Sequence, residues 1–248
     1  MPRRTTSATA LAFRDQLRRP LVPILLVAVP AVIVVWSVAT TTAEPRRIEL
    51  PGGVWVSTTM KALHGPEMAK FAVAFVAALL GVFVMRSALQ GDRRLVAAGF
   101  PAGRAIAARM SVLVSAVLIA ATVGAAATAI GFRPAFWPPL LVALVLTGMI
   151  YAAIGLLAGA LLDKLAATYL ILFLVMTDLG VVQSPMFHAT PGSYAWLLPG
   201  YPVDRLLFAG AFSPSFHATG ALLLTLAWLG ALSLAVYLSL RRAVGAHT

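Results

Sequence analysis

RSALQGDRRLVAAGFPAGRAIAAR, residues Arg86–Arg109, is the one long polar and strongly basic interlude in an otherwise apolar chain. It holds five arginines (Arg86, Arg93, Arg94, Arg104 and Arg109) against a single acid, Asp92, and lies between two hydrophobic runs. Short loops this rich in arginine stay on the cytoplasmic side of a membrane, so the segment orients whatever flanks it. Its local signals predict two short helices with a break between them. Asp92 can cap Arg93–Ala98, Gly99 can end that helix in a left-handed turn, and Pro101 can open the second. With apolar Leu95, Val96 and Phe100 at its tip, this helical elbow is expected to dock a cytoplasmic partner.

The rest of the composition sets the class. The chain has 248 residues, 60% of them hydrophobic and 11% charged, and a mean hydropathy of +0.92. A soluble domain cannot hide that much apolar surface, so an integral membrane protein is expected. The net charge of +11 then speaks to topology and contact with membrane lipid rather than to nucleic acid. The chain has no cysteine, which rules out thiol catalysis, disulfides and thiolate-bound metal. Gly-Lys does not occur, so there is no P-loop; HExxH and GxSxG are absent too. The four histidines (His64, His188, His217 and His247) read as loop or tail residues, which argues against a metal site. The chain is therefore not expected to be an enzyme. Its N-terminus imitates a secretory signal, but the apolar core is long and about twenty mostly polar residues precede it.

Outward from the elbow, the pattern predicts an all-α polytopic membrane protein with six transmembrane helices in one domain, 1–248. Residues 6–19, with Ala10, Phe13 and Leu17 on one face and Arg14, Arg18 and Arg19 on another, read as an interfacial helix on the cytoplasmic leaflet, with a frayed basic tail as the alternative. Spans are expected at about 21–39, 69–85, 110–131, 140–162, 165–182 and 218–240, with the elbow at 86–109 between the second and third. Gly155-x-x-x-Gly159 marks a packing face on the fourth. Segment 183–217 is too apolar for a free loop and is interrupted by Pro185, Pro191, Pro199, Pro202 and Pro214. It is expected to be a broken, re-entrant external segment, or else an external cap on the bundle. This layout puts thirteen of the 19 lysines and arginines inside and six, Lys70 among them, outside. Both termini are then cytoplasmic.

Only Asp178 reads as ionisable within a span, and a carboxylate there is a functional candidate by default. Arg205 and Lys70 are its expected partners. A polar lock on a gate, contact with a cationic substrate, and proton coupling all remain open for it. Thr177, Tyr169, Met176 and Met149 could line the same pathway, although packing explains such residues equally well.

The elbow, the interfacial helix, six spans and the broken external segment together resemble the permease subunit of a type-2 ATP-binding-cassette (ABC) transporter. The likeness is architectural over most of the chain and sequence-like around GDRRLVAAGFPAGRAIAAR. There Leu95-Val96-Ala97-Ala98, Pro101, Arg104 and Arg109 match the family's pattern; Gln90-Gly91-Asp92-Arg93-Arg94 departs from its acidic approach. The version here is similar to small multidrug or antibiotic exporter permeases of high-GC Gram-positive bacteria. The resemblance implies a multi-pass subunit in the bacterial cytoplasmic membrane that moves a hydrophobic or amphiphilic substrate. It also implies two cytoplasmic ABC ATPase subunits as partners and a second permease chain, identical or similar. ATP and Mg would sit in the ATPase, with no cofactor in this chain. The elbow would be a coupling helix, with Leu95, Phe100 and Pro101 in docking contact and Arg93, Arg94 and Arg104 on acidic partner surface. The rival readings are a proton-coupled secondary transporter working through Asp178 and a non-transporting membrane scaffold.

Overall fold

A computed structural model describes residues 21–97, 102–190, 192–215 and 217–245. Mostly helical, at 78%, the chain runs α1 (Leu21–Thr40), β1 (Pro45–Leu50), β2 (Val54–Thr59), α2 (Met60–Ala97), α3 (Ala102–Gly131), α4 (Trp137–Leu161) and α5 (Lys164–Val175). A π-helical turn (Met176–Val182), a 3₁₀ turn (Ala195–Leu197), α6 (Gly200–Phe212) and α7 (Thr219–Gly245) complete it. Among the described residues, five stretches are long and apolar enough to cross a membrane: Met60–Leu89, Ile106–Gly131, Trp137–Leu161, Lys164–Val182 and Thr219–Leu240. Large side chains such as Trp36, Phe173 and Leu223 stand open on the outside, a surface that suits lipid and not water. The protein is membrane-embedded. The expected interfacial helix at 6–19 lies outside the described residues.

Helix α2 is the axis. At 38 residues it is about 57 Å long, and it packs most extensively on α4, then on α3 and α1. The α2–α4 contact is made by small residues. A Cβ added at Gly155 would meet the carbonyl oxygen of Ala78, and one at Gly81 would meet that of Ala152. The Gly155-x-x-x-Gly159 face expected from the sequence is therefore the seat of α2, where backbone lies against backbone.

Three boundaries differ from expectation. The second span does not begin at 69: α2 starts at Met60, where the Thr59 hydroxyl accepts a hydrogen bond from the Ala62 N–H at 3.2 Å and caps the helix. Nor is Arg93–Ala98 a separate short helix, because α2 continues through Gly91 and Asp92 to Ala97. One glycine costs a helix only about 1 kcal/mol, and the arginines, leucine and alanine beyond it are good helix formers. The segment before α2, expected only as external chain, holds a hairpin. Its strands pair antiparallel, with Ile48 opposite Val56 and Leu50 opposite Val54. Gly52 and Gly53 turn it with φ of 86° and 75°, a region glycine enters freely. Ile48 and Leu50 face inward onto Leu63 and Phe208, as the two-residue period of a strand requires.

At the opposite end, the short turn between α4 and α5 is locked by charge. Asp163 Oδ1 accepts from the N–H groups of Leu165 (2.9 Å) and Ala166 (3.0 Å). These donors, Ala166 first, hold its carboxyl below the usual range, with Arg86 adding to the effect. Arg86 Nη1 donates to the Leu162 carbonyl at 3.2 Å, and Arg109 Nη1 donates to Ser87 Oγ at 2.7 Å. Two of the five basic-segment arginines thus tie helix ends together.

Candidate functional site

Beneath the hairpin, α2, α4, the π-helical turn and α6 converge on a buried polar cluster. Glu67 and Lys70 lie three residues apart on α2, hence on one face. Lys70 Nζ donates to Glu67 Oε2 at 3.0 Å and to Asp204 Oδ1 of α6. Lys70, Glu67 and Asp204 are 0%, 1% and 4% exposed. The ammonium also stands 5.6 Å from the centre of the Phe208 ring, a favourable cation–π position.

Asp178 forms the second half. Its Oδ2 accepts from the Tyr151 hydroxyl at 2.5 Å and from the Gly200 N–H at 2.9 Å. Its Oδ1 accepts from Gln183 Nε2 at 3.3 Å. The three donors satisfy a carboxyl group that is buried away from water. The π-helical turn builds this geometry. The Gln183 N–H donates to the Asp178 carbonyl, five residues back, at 2.9 Å, which brings the two side chains together as a regular α-helical turn would not. Gly200 has to be glycine because a Cβ there would run into the Asp178 carboxylate.

These contacts correct three expectations. Asp178 is not the only acid at depth, since Glu67 and Asp204 are buried with it. Lys70 is not an external residue, and it pairs with Glu67 and Asp204 rather than with Asp178. Arg205 points elsewhere, donating through Nη1 to the Glu49 carbonyl at 2.6 Å and so pinning the hairpin to α6. His64 lies inside α2, not in a loop. The local signal for the missed pair is the Glu67/Lys70 spacing; nothing local marks Asp204 as its partner.

No protein-family model and no curated protein matches the chain. The site is therefore read from its own geometry. Thr177 is half-buried in the π-helical turn beside Asp178, and Met149 is half-buried on α4 among the apolar residues around Leu113 and Val117. Tyr169 and Met176 are 63% and 54% exposed and stand on the outer surface, away from the cluster. Arg104 is half-buried in the first turn of α3. Arg93, Arg94 and Leu95 occupy the last turns of α2, with their side chains outside the described set. Phe100 and Pro101 lie outside the described residues.

The Asp178 half can be tested by one atom. Tyr151→Phe removes the donor to a buried carboxylate and leaves the ring in place. A hydrogen bond to a charged group contributes about 2 kcal/mol, so the variant should melt several degrees below wild type in detergent. An unchanged melting temperature would show that Asp178 does not depend on Tyr151.

Proposed function

We propose that the chain is the membrane-spanning permease subunit of an ATP-binding-cassette exporter for a hydrophobic or amphiphilic substrate. ATP and Mg bind a separate ATPase, two copies of which dock on the elbows of two permease chains. The chain sits in the bacterial cytoplasmic membrane with α1 and the five long apolar stretches as six spans, and with both termini cytoplasmic. The observation that carries this reading is the continuity of α2. One unbroken helix holds Glu67 and Lys70 near one end and Arg93 and Arg94 near the other, about 36 Å apart along the axis. A push on the elbow is thereby delivered to the buried cluster without an intervening loop. Because the sequence has no P-loop, the energy for that push has to come from a partner.

Purification from the native membrane, followed by an ATPase assay, tests the reading. Wild type should bring down an ATPase, and the Phe100→Asp, Pro101→Ala double variant should lose at least nine-tenths of it (about 1.4 kcal/mol per tenfold in affinity). If neither form brings down an ATPase, the coupling reading fails.

A second reading has a specific observation in its favour. Glu67 and Asp204 share one buried lysine and Asp178 is buried as well, which is material for proton coupling in a self-contained transporter. It predicts transport that persists without any ATPase and stops in Asp178→Asn.

A further inference from the structure

Between the hairpin, α6 and residues 182–189 lies a small open cleft of about 20 Å³, and Gln183, Asp204 and Glu49 are among the residues lining it. Gln183 is only 5% exposed. Its Nε2 donates both to Asp178 Oδ1 (3.3 Å) and to the Ala195 carbonyl (3.2 Å). Both partners are pure acceptors, which fixes the amide orientation and leaves Oε1 as the atom with no donor among the described residues. A buried acceptor without a donor costs about 1–3 kcal/mol. Charge points the same way. Two carboxyl groups, Glu49 and Asp204, line the cleft against one guanidinium, Arg205, and the Lys70 ammonium is already shared between Asp204 and Glu67.

We propose that this cleft binds the ammonium group of a primary alkylamine. An ammonium supplies the N–H donor that Gln183 Oε1 lacks and the positive charge that the carboxyl groups lack. The cleft admits a group about the size of a water molecule, which matches –NH₃⁺ and excludes quaternary ammonium. Ile48, Val182 and Phe208 also line it and offer an apolar wall along which a short hydrocarbon chain can extend outward. An anion would meet Asp204 and Glu49. A metal ion is not favoured, since no group of three acidic or histidine side chains among the described residues is arranged to hold one. The site does not depend on the exporter reading.

Equilibrium binding of radiolabelled propylamine to the full chain in detergent tests it. No nucleotide or partner is present, so failure here leaves the elbow experiment unaffected. Propylamine should bind saturably. Tetramethylammonium, with charge but no N–H, and propanol, with a donor but no charge, should compete at least about tenfold less well. Gln183→Met should weaken binding about tenfold or more. Glu49→Gln, at the half-buried rim and outside the Lys70 network, should weaken it a few-fold while leaving the melting temperature unchanged. No saturable binding, equal competition by tetramethylammonium, or wild-type affinity in a folded Gln183→Met variant would each overturn the proposal. If Gln183→Met does not fold, Glu49→Gln and the competitor series decide: undiminished affinity or equal competition overturns it.

Discussion

Lys70→Ala should leave little folded protein. Its ammonium is the only positive group bonded to Glu67 and Asp204 among the described residues, and removing it leaves two buried carboxyl groups without their shared cation. Breaking one side of a buried ion pair costs about 3–5 kcal/mol, a large fraction of the whole stability of a domain. The expected result is a low yield of monodisperse protein in detergent and a strongly lowered melting temperature. Glu67→Gln and Asp204→Asn should each do less harm, because each keeps a hydrogen-bonding acceptor for Lys70 and removes a negative charge from a site that has too many. The triple variant Glu67→Gln, Lys70→Met, Asp204→Asn should recover much of what Lys70→Ala loses, since the cost lies in the unpaired charge and not in the missing pair. A Lys70→Ala protein that melts with wild type would mean that the carboxyl groups are neutral or reached by water, and the charge cluster would lose its meaning as a site.

What could be read from the sequence, and what could not, follows from how far each interaction reaches along the chain. The apolar runs, the Asp163-Lys164 break, the Gly155-x-x-x-Gly159 seat and the proline-broken segment ahead of α7 are local patterns, and each is present as a structural element. The hairpin was legible as well: Ile48 and Leu50 alternate with polar residues, Val54 and Val56 answer them, and Pro51-Gly52-Gly53 supplies the turn. The charge cluster is a different case. Glu67 and Lys70 look like loop residues because a lone charge at membrane depth is prohibitive. They become affordable only once Asp204, 134 residues beyond Lys70, is brought against them. No window of sequence contains that pair. The start of α2 was misplaced for the same reason, since its first turns look polar until their partner is known.

The α2–α4 seat gives the other large effect. Gly155→Val should lower stability at or above the top of the about 1–3 kcal/mol range of overpacked cores, because the atoms in the way are backbone. A Cβ at Gly155 meets the carbonyl oxygen of Ala78, with the Ala78 carbonyl carbon at 2.8 Å and Cα at 3.0 Å. None of these can swing aside as a side-chain tip would, so the two helices have to separate or slide. Gly81 sits on the facing surface, against Ala152, Gly155 and Leu156; Gly81→Val should cost about as much, and the double variant less than the sum, because one displacement relieves both clashes. Gly230→Val on α7 makes the same chemical change where nothing lies within 4 Å, and it should melt close to wild type. If Gly155→Val melts with Gly230→Val, the seat is not a tight one. The consequence reaches the site itself. Tyr151 rides on α4, one turn before Gly155, while Glu67 and Lys70 ride on α2. Prising the two helices apart therefore pulls the Asp178 half of the cluster away from the Lys70 half, and on the exporter reading it also frees the rod that carries the elbow from the helix it bears against. Amine binding and ATPase-coupled transport should accordingly fall together in Gly155→Val, whereas the elbow double variant should lose coupling and keep amine binding.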